Sequence, residues 1–243
     1  MDPWILLAIF VFVAYSIEAI TGFGSIVIAL SLGALLLPIE AMLPVLVPLN
    51  ICMTGYLLAR HHQHIHWPTL LKLILPLMVS GPLAGYLLRP WLGDQLLQLL
   101  FGALVVWFAG RELLRAYRGL SSRRHGALWT RGWMLGAGIT HGLYASGGPL
   151  LVYALTGTQL DKAAFRATLI TVWFSLNSLL TVVFAIDGSL YTALPKVAAI
   201  APVLVAGVVV GEYLHHRVDE QRFRNVVYAL LLFTGSLLII TGF

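Results

Sequence analysis

The chain has 243 residues, 59% hydrophobic and only 10% charged, with a mean hydropathy of +0.89. A soluble domain carries about 25% charged residues, so a soluble enzyme or binding module is excluded. The net charge of +5 does not indicate nucleic acid, because basic residues in so apolar a chain act as membrane-flanking anchors.

Eight apolar runs fill the sequence, at about 4–36, 41–59, 68–88, 95–110, 132–157, 167–186, 192–213 and 223–242. A spanning helix needs about 20 residues, with a range of roughly 17–25, and every run but the first is close to that. The N-terminus has Met1 and Asp2 in place of a basic stretch, so it reads as part of the first run and not as a cleavable signal.

The first run is too long for one crossing. As a continuous helix it would extend about 50 Å at 1.5 Å per residue, against a hydrocarbon core of about 30 Å. Its middle carries Glu18 and the sequence TGFGS at 21–25. Each of Gly22 and Gly24 weakens a helix by about 1 kcal/mol, so the run is expected to be helix, break, helix. The second run carries Asn50, with Thr54 one turn on, and the lone cysteine Cys52, which has no intrachain partner. HHQHIH follows at 61–66, bringing His61, His62, His64 and His66 together. The spacing is not a defined zinc pattern, and a solvated interfacial loop is the favoured reading. The third run holds Pro76, Gly81 and Gly85. The loop at 110–131 carries Arg111, Arg115, Arg118, Arg123, Arg124 and Arg131.

The fifth run repeats the first. It carries His141, then YASGG at 144–148, with Gly147, Gly148 and Pro149 where proline interrupts a helix. Asp161, Lys162 and Arg166 lead into the sixth run, which holds Thr171, Ser175, Asn177 and Ser178. The seventh holds Pro202, Gly207 and Gly211, followed by His215 and His216.

These are two copies of one unit. At an offset of 126, Pro76, Gly81, Gly85 and Asp94-Gln95 match Pro202, Gly207, Gly211 and Glu220-Gln221; Asn50 matches Asn177 at 127. Glu18 and TGFGS match His141 and YASGG at 123. The expected organisation is a first transmembrane repeat at 1–118, a basic cytoplasmic linker at 119–130 and a second repeat at 131–243.

Basic residues choose between two orientations of the copies. With the central loop cytoplasmic, parallel copies in which every run crosses leave six of the 15 basic residues outside. If the first run of each copy breaks and returns, the copies are inverted and only Arg89 and Lys196 lie outside. The expected fold is therefore an all-α polytopic membrane protein of two inverted-topology repeats, each with about four apolar segments and a broken or re-entrant first segment, and with both termini outside. A re-entrant hairpin and two short tilted crossings have the same parity.

Non-helical backbone at membrane depth lines a cavity or is shielded by protein. The amides and dipole at the start of each returning half-helix favour an anion. The expected substrate-binding residues are Thr21, Gly22, Phe23, Gly24, Ser25, Asn50, Tyr144, Ser146, Gly147, Gly148, Pro149 and Asn177. Asn50 and Asn177 either hold the broken loops or touch substrate. Intramembrane ionisable groups are functional suspects, so Glu18 and His141 are candidates for proton coupling. The Gly81/Gly85 and Gly207/Gly211 pairs are assigned to close helix packing.

The duplicated eight-segment plan, EAITGFGS at 18–25, THGLYASGGP at 140–149 and the long basic central loop resemble the TauE/SafE sulfite-exporter family of membrane permeases. The resemblance spans essentially the whole chain and implies transport of sulfite, thiosulfate, sulfoacetate or a related organosulfonate across a bacterial inner membrane. The expected function is secondary active transport of such an anion by alternating access. A passive anion channel and a membrane-embedded metal-binding protein using His61–His66 are the alternatives. No Walker, GxSxG or HExxH motif occurs, so no catalysis, cofactor or metal is expected. The expected partners are the small anion and the lipid bilayer, with no nucleic acid; monomer and homodimer both stay open.

Overall fold

A computed structural model of the chain describes residues 2–119, 126–155, 160–215, 217 and 220–241. Met1, Arg123, Arg124 and His216 lie outside the described residues, as do the side chains of Lys162, His215, Glu220, Gln221, Arg222 and Arg224. Every regular element among the described residues is helical.

Helix α1 (Pro3–Thr21) begins at Asp2, whose carboxylate accepts a hydrogen bond from the Trp4 amide at 3.0 Å. Pro3 occupies the first turn, where a missing N–H costs nothing. The helix stops at Gly22 (φ 85°), and Gly24 follows at φ 106°. These left-handed conformations suit glycine and strain other residues. Helix α2 (Ser25–Gly33) then runs back along α1. Ser25 lies beside Glu18, and a Cβ on Gly33 would sit 3.0 Å from the Leu7 side chain. Helix α3 (Ile39–His61) runs parallel to α1: Tyr15 donates to the Leu46 carbonyl at 2.9 Å, and Asn50 faces Glu18.

A helical stretch continues from α4 (Trp67–Thr69) through a wide turn at Leu70–Ile74 and α5 (Leu75–Met78) into α6 (Ser80–Arg118). It doubles back at Gly93, where φ 68° and ψ 162° leave the helical region. The reversal shows in its contacts with α7 (Ala127–Tyr144). Gly81 and Gly85 meet Gly138 and Gly142 in parallel order, whereas Phe101 and Trp107 meet Tyr144 and Trp133 in antiparallel order. Helix α7 starts inside the segment expected to be linker. Helix α8 (Gly148–Ala154) turns back along α7, bringing Leu150 beside Gly136. Helices α9 (Lys162–Ile186), α10 (Ser189–His215) and α11 (Glu220–Thr241) complete the bundle.

Key contacts occur twice. A Cβ on Gly85 would lie 2.2 Å from the Ile139 carbonyl oxygen, and one on Gly211 would lie 2.4 Å from that of Ser16, the equivalent position in the other copy. The paired glycines thus serve close packing, as expected. Helices α3 and α9 cross antiparallel, Asn50 meeting Asn177 and the His66 amide meeting Thr168. Helices α6 and α11 are antiparallel as well, Gln98 meeting Thr241 and Phe108 meeting Tyr228.

Among the described residues five helices are long and apolar enough to cross a membrane, one of them the stretch 67–118 that folds at Gly93. Leu87, Val182, Val209 and Phe233 are exposed on the outside. Soluble monomers rarely show so much contiguous apolar surface; lipid covers it here. Aromatic and basic side chains mark the ends of the bundle. Trp107, Trp133 and Tyr153 stack with Arg111 at one end. At the other, Lys196 lies 3.7 Å from the Trp4 ring centre, and Arg89 lies over Tyr86 and Phe184.

Candidate site between two helix breaks

Each break is closed by a side chain from the helix that enters it. Glu18 sits three residues before the first, and its carboxylate accepts from the Ser25 amide at 2.8 Å. His141 sits at the equivalent place in the second, where its Nδ1 accepts from the Gly147 amide at 3.5 Å. A helix start leaves amides without intrahelical partners, and these two side chains satisfy one at each break. With Nδ1 accepting, a neutral His141 carries its proton on Nε2, on the side of Asn177.

The asparagines join the halves. Asn50 donates to the Ser25 hydroxyl at 3.0 Å and lies 3.4 Å from both Glu18 oxygens. Asn177 donates to the Asn50 side-chain oxygen at 2.7 Å. All four residues are buried. The chain Asn177–Asn50–Ser25/Glu18 therefore runs from the second repeat into the break of the first. Buried amides need such partners, because water cannot reach them.

Two arginines flank the breaks. Arg166, from the start of α9, donates to the Ala19 carbonyl at 2.6 Å and lays its aliphatic stem against Gly22. Arg89, from the end of the first arm of α6, donates to the Gly142 carbonyl and is buried. Ala19 and Gly142 are equivalent positions, 123 residues apart, whereas the arginines come from non-equivalent segments. A cation at a helix C-terminus offsets the negative end of the dipole.

Between the breaks lies a cavity of about 20 Å³, lined by Glu18, Gly24, Ile26, Val27 and Asn50 from the first repeat and by Ala145, Ser146, Gly148, Trp173 and Asn177 from the second. That is about the room one water needs. Beside it lies a second, more apolar cavity lined in part by Thr21, Phe23, Pro149 and Tyr228, sharing Gly24 and Val27 with the first.

Of the residues singled out from sequence, Glu18, Gly24, Asn50, Ser146, Gly148 and Asn177 thus meet at one cavity, while Thr21, Phe23 and Pro149 line its neighbour. Ser25 enters through its bond to Asn50. Gly22 holds the turn against Arg166. Gly147 and Tyr144 are not brought to either cavity: Gly147 packs on the Ala137 carbonyl, and Tyr144 donates to the Leu97 carbonyl at 3.2 Å. Trp173 was missed. A tryptophan in an apolar run gives no sequence signal, and only the fold sets it beside Gly148 and stacks it on His141 with ring centres 5.9 Å apart. Arg89 was read as an interfacial anchor, yet its side chain turns inward to the second break. His61, His62, His64 and His66 do not converge: no group of three or more potential metal ligands forms among the described residues.

The family description "Sulfite exporter TauE/SafE" matches residues 7–238. A protein of Cupriavidus necator named as a probable sulfite/organosulfonate exporter, TauE, is 24% identical over 229 residues, covering 92% of this chain and 88% of that one. No solved structure matches the chain.

Proposed function

Because the chain belongs to the sulfite exporter TauE/SafE family of membrane transporters, we propose that it is a secondary active transporter of sulfite or an organosulfonate in a bacterial inner membrane. The substrate would pass through the cavity between the two helix breaks. The observation that carries this reading is that one cavity draws its lining from both breaks, Gly24 and Glu18 on one side and Ser146 and Gly148 on the other. At about 20 Å³ it is too small for an anion of four heavy atoms, so it represents a closed state from which the two hairpins part to admit substrate. Alternating access in duplicated transporters works by such rocking about a midplane site.

Inverted repeats fit this reading. Equivalent helices α3 and α9 run antiparallel through the equivalent residues Asn50 and Asn177, as do α6 and α11 in their contacts. Copies related by an axis along the membrane normal would have equivalent helices pointing the same way. At 9 and 7 residues, α2 and α8 are too short to cross a hydrocarbon core of about 30 Å, which favours re-entrant hairpins over pairs of short crossings, with both termini outside. Glu18 is the better candidate for proton coupling, because it lines the cavity, whereas His141 lies behind Trp173.

Proteoliposomes loaded with sulfite, thiosulfate, sulfoacetate, taurine or a matched carboxylate test the function. Saturable efflux and counterflow of a sulfur oxyanion are expected. Flux without counterflow identifies a channel, and transport of none of the sulfur compounds overturns the assignment. With a pH gradient, unchanged transport by the Glu18→Gln, His141→Ala double variant removes the proton-coupling role.

A further inference from the structure

We propose that the indole N–H of Trp173 and the hydroxyl of Ser146 are the donors that hold the oxygens of the transported anion, so that the second repeat binds the charge while the first shapes the cavity. This rests on the cavity being the transport site.

The polar groups around the cavity divide unequally. On the first-repeat side the Glu18 carboxylate accepts from the Ser25 amide and faces Asn50, and Asn50 donates onward to the Ser25 hydroxyl. Those donors are already committed. On the second-repeat side the Ser146 hydroxyl and the Trp173 indole nitrogen have no hydrogen-bond partner, although both residues are more than nine-tenths buried and both line the cavity. Buried polar groups are nearly always paired, and each exception calls for an explanation. Two such exceptions on residues that line one cavity have a common explanation in a ligand that supplies acceptors.

The chemistry selects the ligand. An indole N–H only donates, and it carries no charge and does not ionise. A hydroxyl can donate to a second acceptor. Together they suit a group with several acceptor oxygens and no hydrogens, such as sulfite or the sulfo head of an organosulfonate. Neutral donors also suit a transporter, since the site must release its anion as well as bind it. The opposite, acceptor face of the cavity is made by the Glu18 carboxylate and the Asn177 side-chain oxygen. It would oppose an anion, which confines the anion to the Trp173–Ser146 wall.

Trp173→Phe tests the assignment, because phenylalanine keeps an aromatic ring beside His141 while deleting the donor, together with part of the buried ring volume. Losing one hydrogen bond to a charged group weakens binding on the order of 10- to 100-fold. The expected result is that loss in sulfite or organosulfonate affinity and in efflux for Trp173→Phe, a similar loss for Ser146→Ala, and a larger one for the double variant. Without substrate, the melting temperature should be unchanged or higher in Ser146→Ala, which removes an unpartnered buried hydroxyl, and lower in Trp173→Phe, which also loses buried volume. A purely structural role predicts lowered melting temperatures in both variants with affinity retained, and would overturn the proposal. Wild-type affinity in both single variants overturns it too, while leaving the transport assignment standing. A wild-type protein that binds no sulfur oxyanion overturns the transport assignment itself, and this proposal with it.

Discussion

Gly148→Ala separates the transport path from the scaffold. Gly148 starts α8, lines the cavity, and has no left-handed backbone requirement. A Cβ there would meet the Trp173 ring at 3.7 Å, an ordinary contact. Replacing glycine at a compatible backbone position stabilises a protein by about 0.4–1 kcal/mol, through the unfolded state. Pro149 follows, and its ring crowds a Cβ on a preceding helical residue, which offsets that gain, so the folded protein should stay near wild-type stability. The cavity, however, has room for about one water, at about 20 Å³. A methyl group placed between Gly148 and Trp173 takes up much of that space on the wall where the anion would lie.

The neighbouring glycine is the control. A Cβ on Gly147 would sit 2.3 Å from the Ala137 carbonyl oxygen, so backbone must move, and overpacking of this kind costs about 1–3 kcal/mol. Thermal unfolding in detergent should thus show Gly147→Ala destabilised and Gly148→Ala not. Efflux of sulfite or an organosulfonate from proteoliposomes, normalised to folded protein, should fall by at least tenfold in Gly148→Ala. A stable Gly148→Ala protein that transports at the wild-type rate would refute the reasoning, because substrate could not then pass between the two breaks.

Three further outcomes are expected. Asn50→Ala should destabilise the protein by about 1–3 kcal/mol, since it leaves Glu18 and Asn177 without their partner; a cycle with Asn177→Ala in thermal unfolding should show coupling of about 0.6 kcal/mol or more, and additivity would rule out the bridge. In a Cys52→Ala background, Tyr117→Cys should react with an impermeant maleimide only from the cytoplasmic face and Ile186→Cys only from outside. Both positions are exposed, and cytoplasmic labelling of Ile186→Cys would favour parallel repeats. At the end of α9, burial tends to raise the Asp187 carboxyl, but hydrogen bonds from Ser189 and Tyr86 prevail and hold it below the usual carboxylate range. A depressed folded value adds stability above the unfolded value, near 3.9, and that stability is lost as pH falls through the folded value. Acid unfolding curves of Asp187→Asn should lack this contribution; an unchanged pH dependence would dismiss it.

The breaks were legible in the sequence because glycine at 22 and 24, and the Gly-Gly-Pro at 147–149, interrupt runs too long for one crossing. That Asn50 and Asn177 need polar partners was legible, because each is an amide inside an apolar run; that they partner each other was not, since the sequence left them either holding the broken loops or touching substrate. What the sequence could not resolve is which polar atoms end up satisfied. Glu18 and His141 stand out as ionisable groups at membrane depth, yet in the folded chain each closes a helix start by accepting from an amide, at Ser25 and Gly147. Their chemical identity differs while their structural duty is shared. This explains why the repeat tolerates a carboxylate in one copy and an imidazole in the other, and why their prominence in the sequence is weak evidence of a proton path. The converse holds for Trp173 and Arg89. Neither stands out from its segment, because tryptophan is common in apolar runs and an arginine beside one reads as an anchor. Their places come from tertiary contacts, α9 crossing the second break and α6 turning back at Gly93. On the proposed reading, a site built from the two hairpin tips would take its shape from residues that recur in both copies and its ligand chemistry from those that do not. Trp173 belongs to the second group: counting 127 residues back, as from Asn177 to Asn50, its counterpart is Leu46, whose carbonyl accepts from Tyr15. The unpartnered indole is on one side only, so on the proposed reading the two hairpins would not be interchangeable in holding the anion, and one could rock while the other keeps its grip.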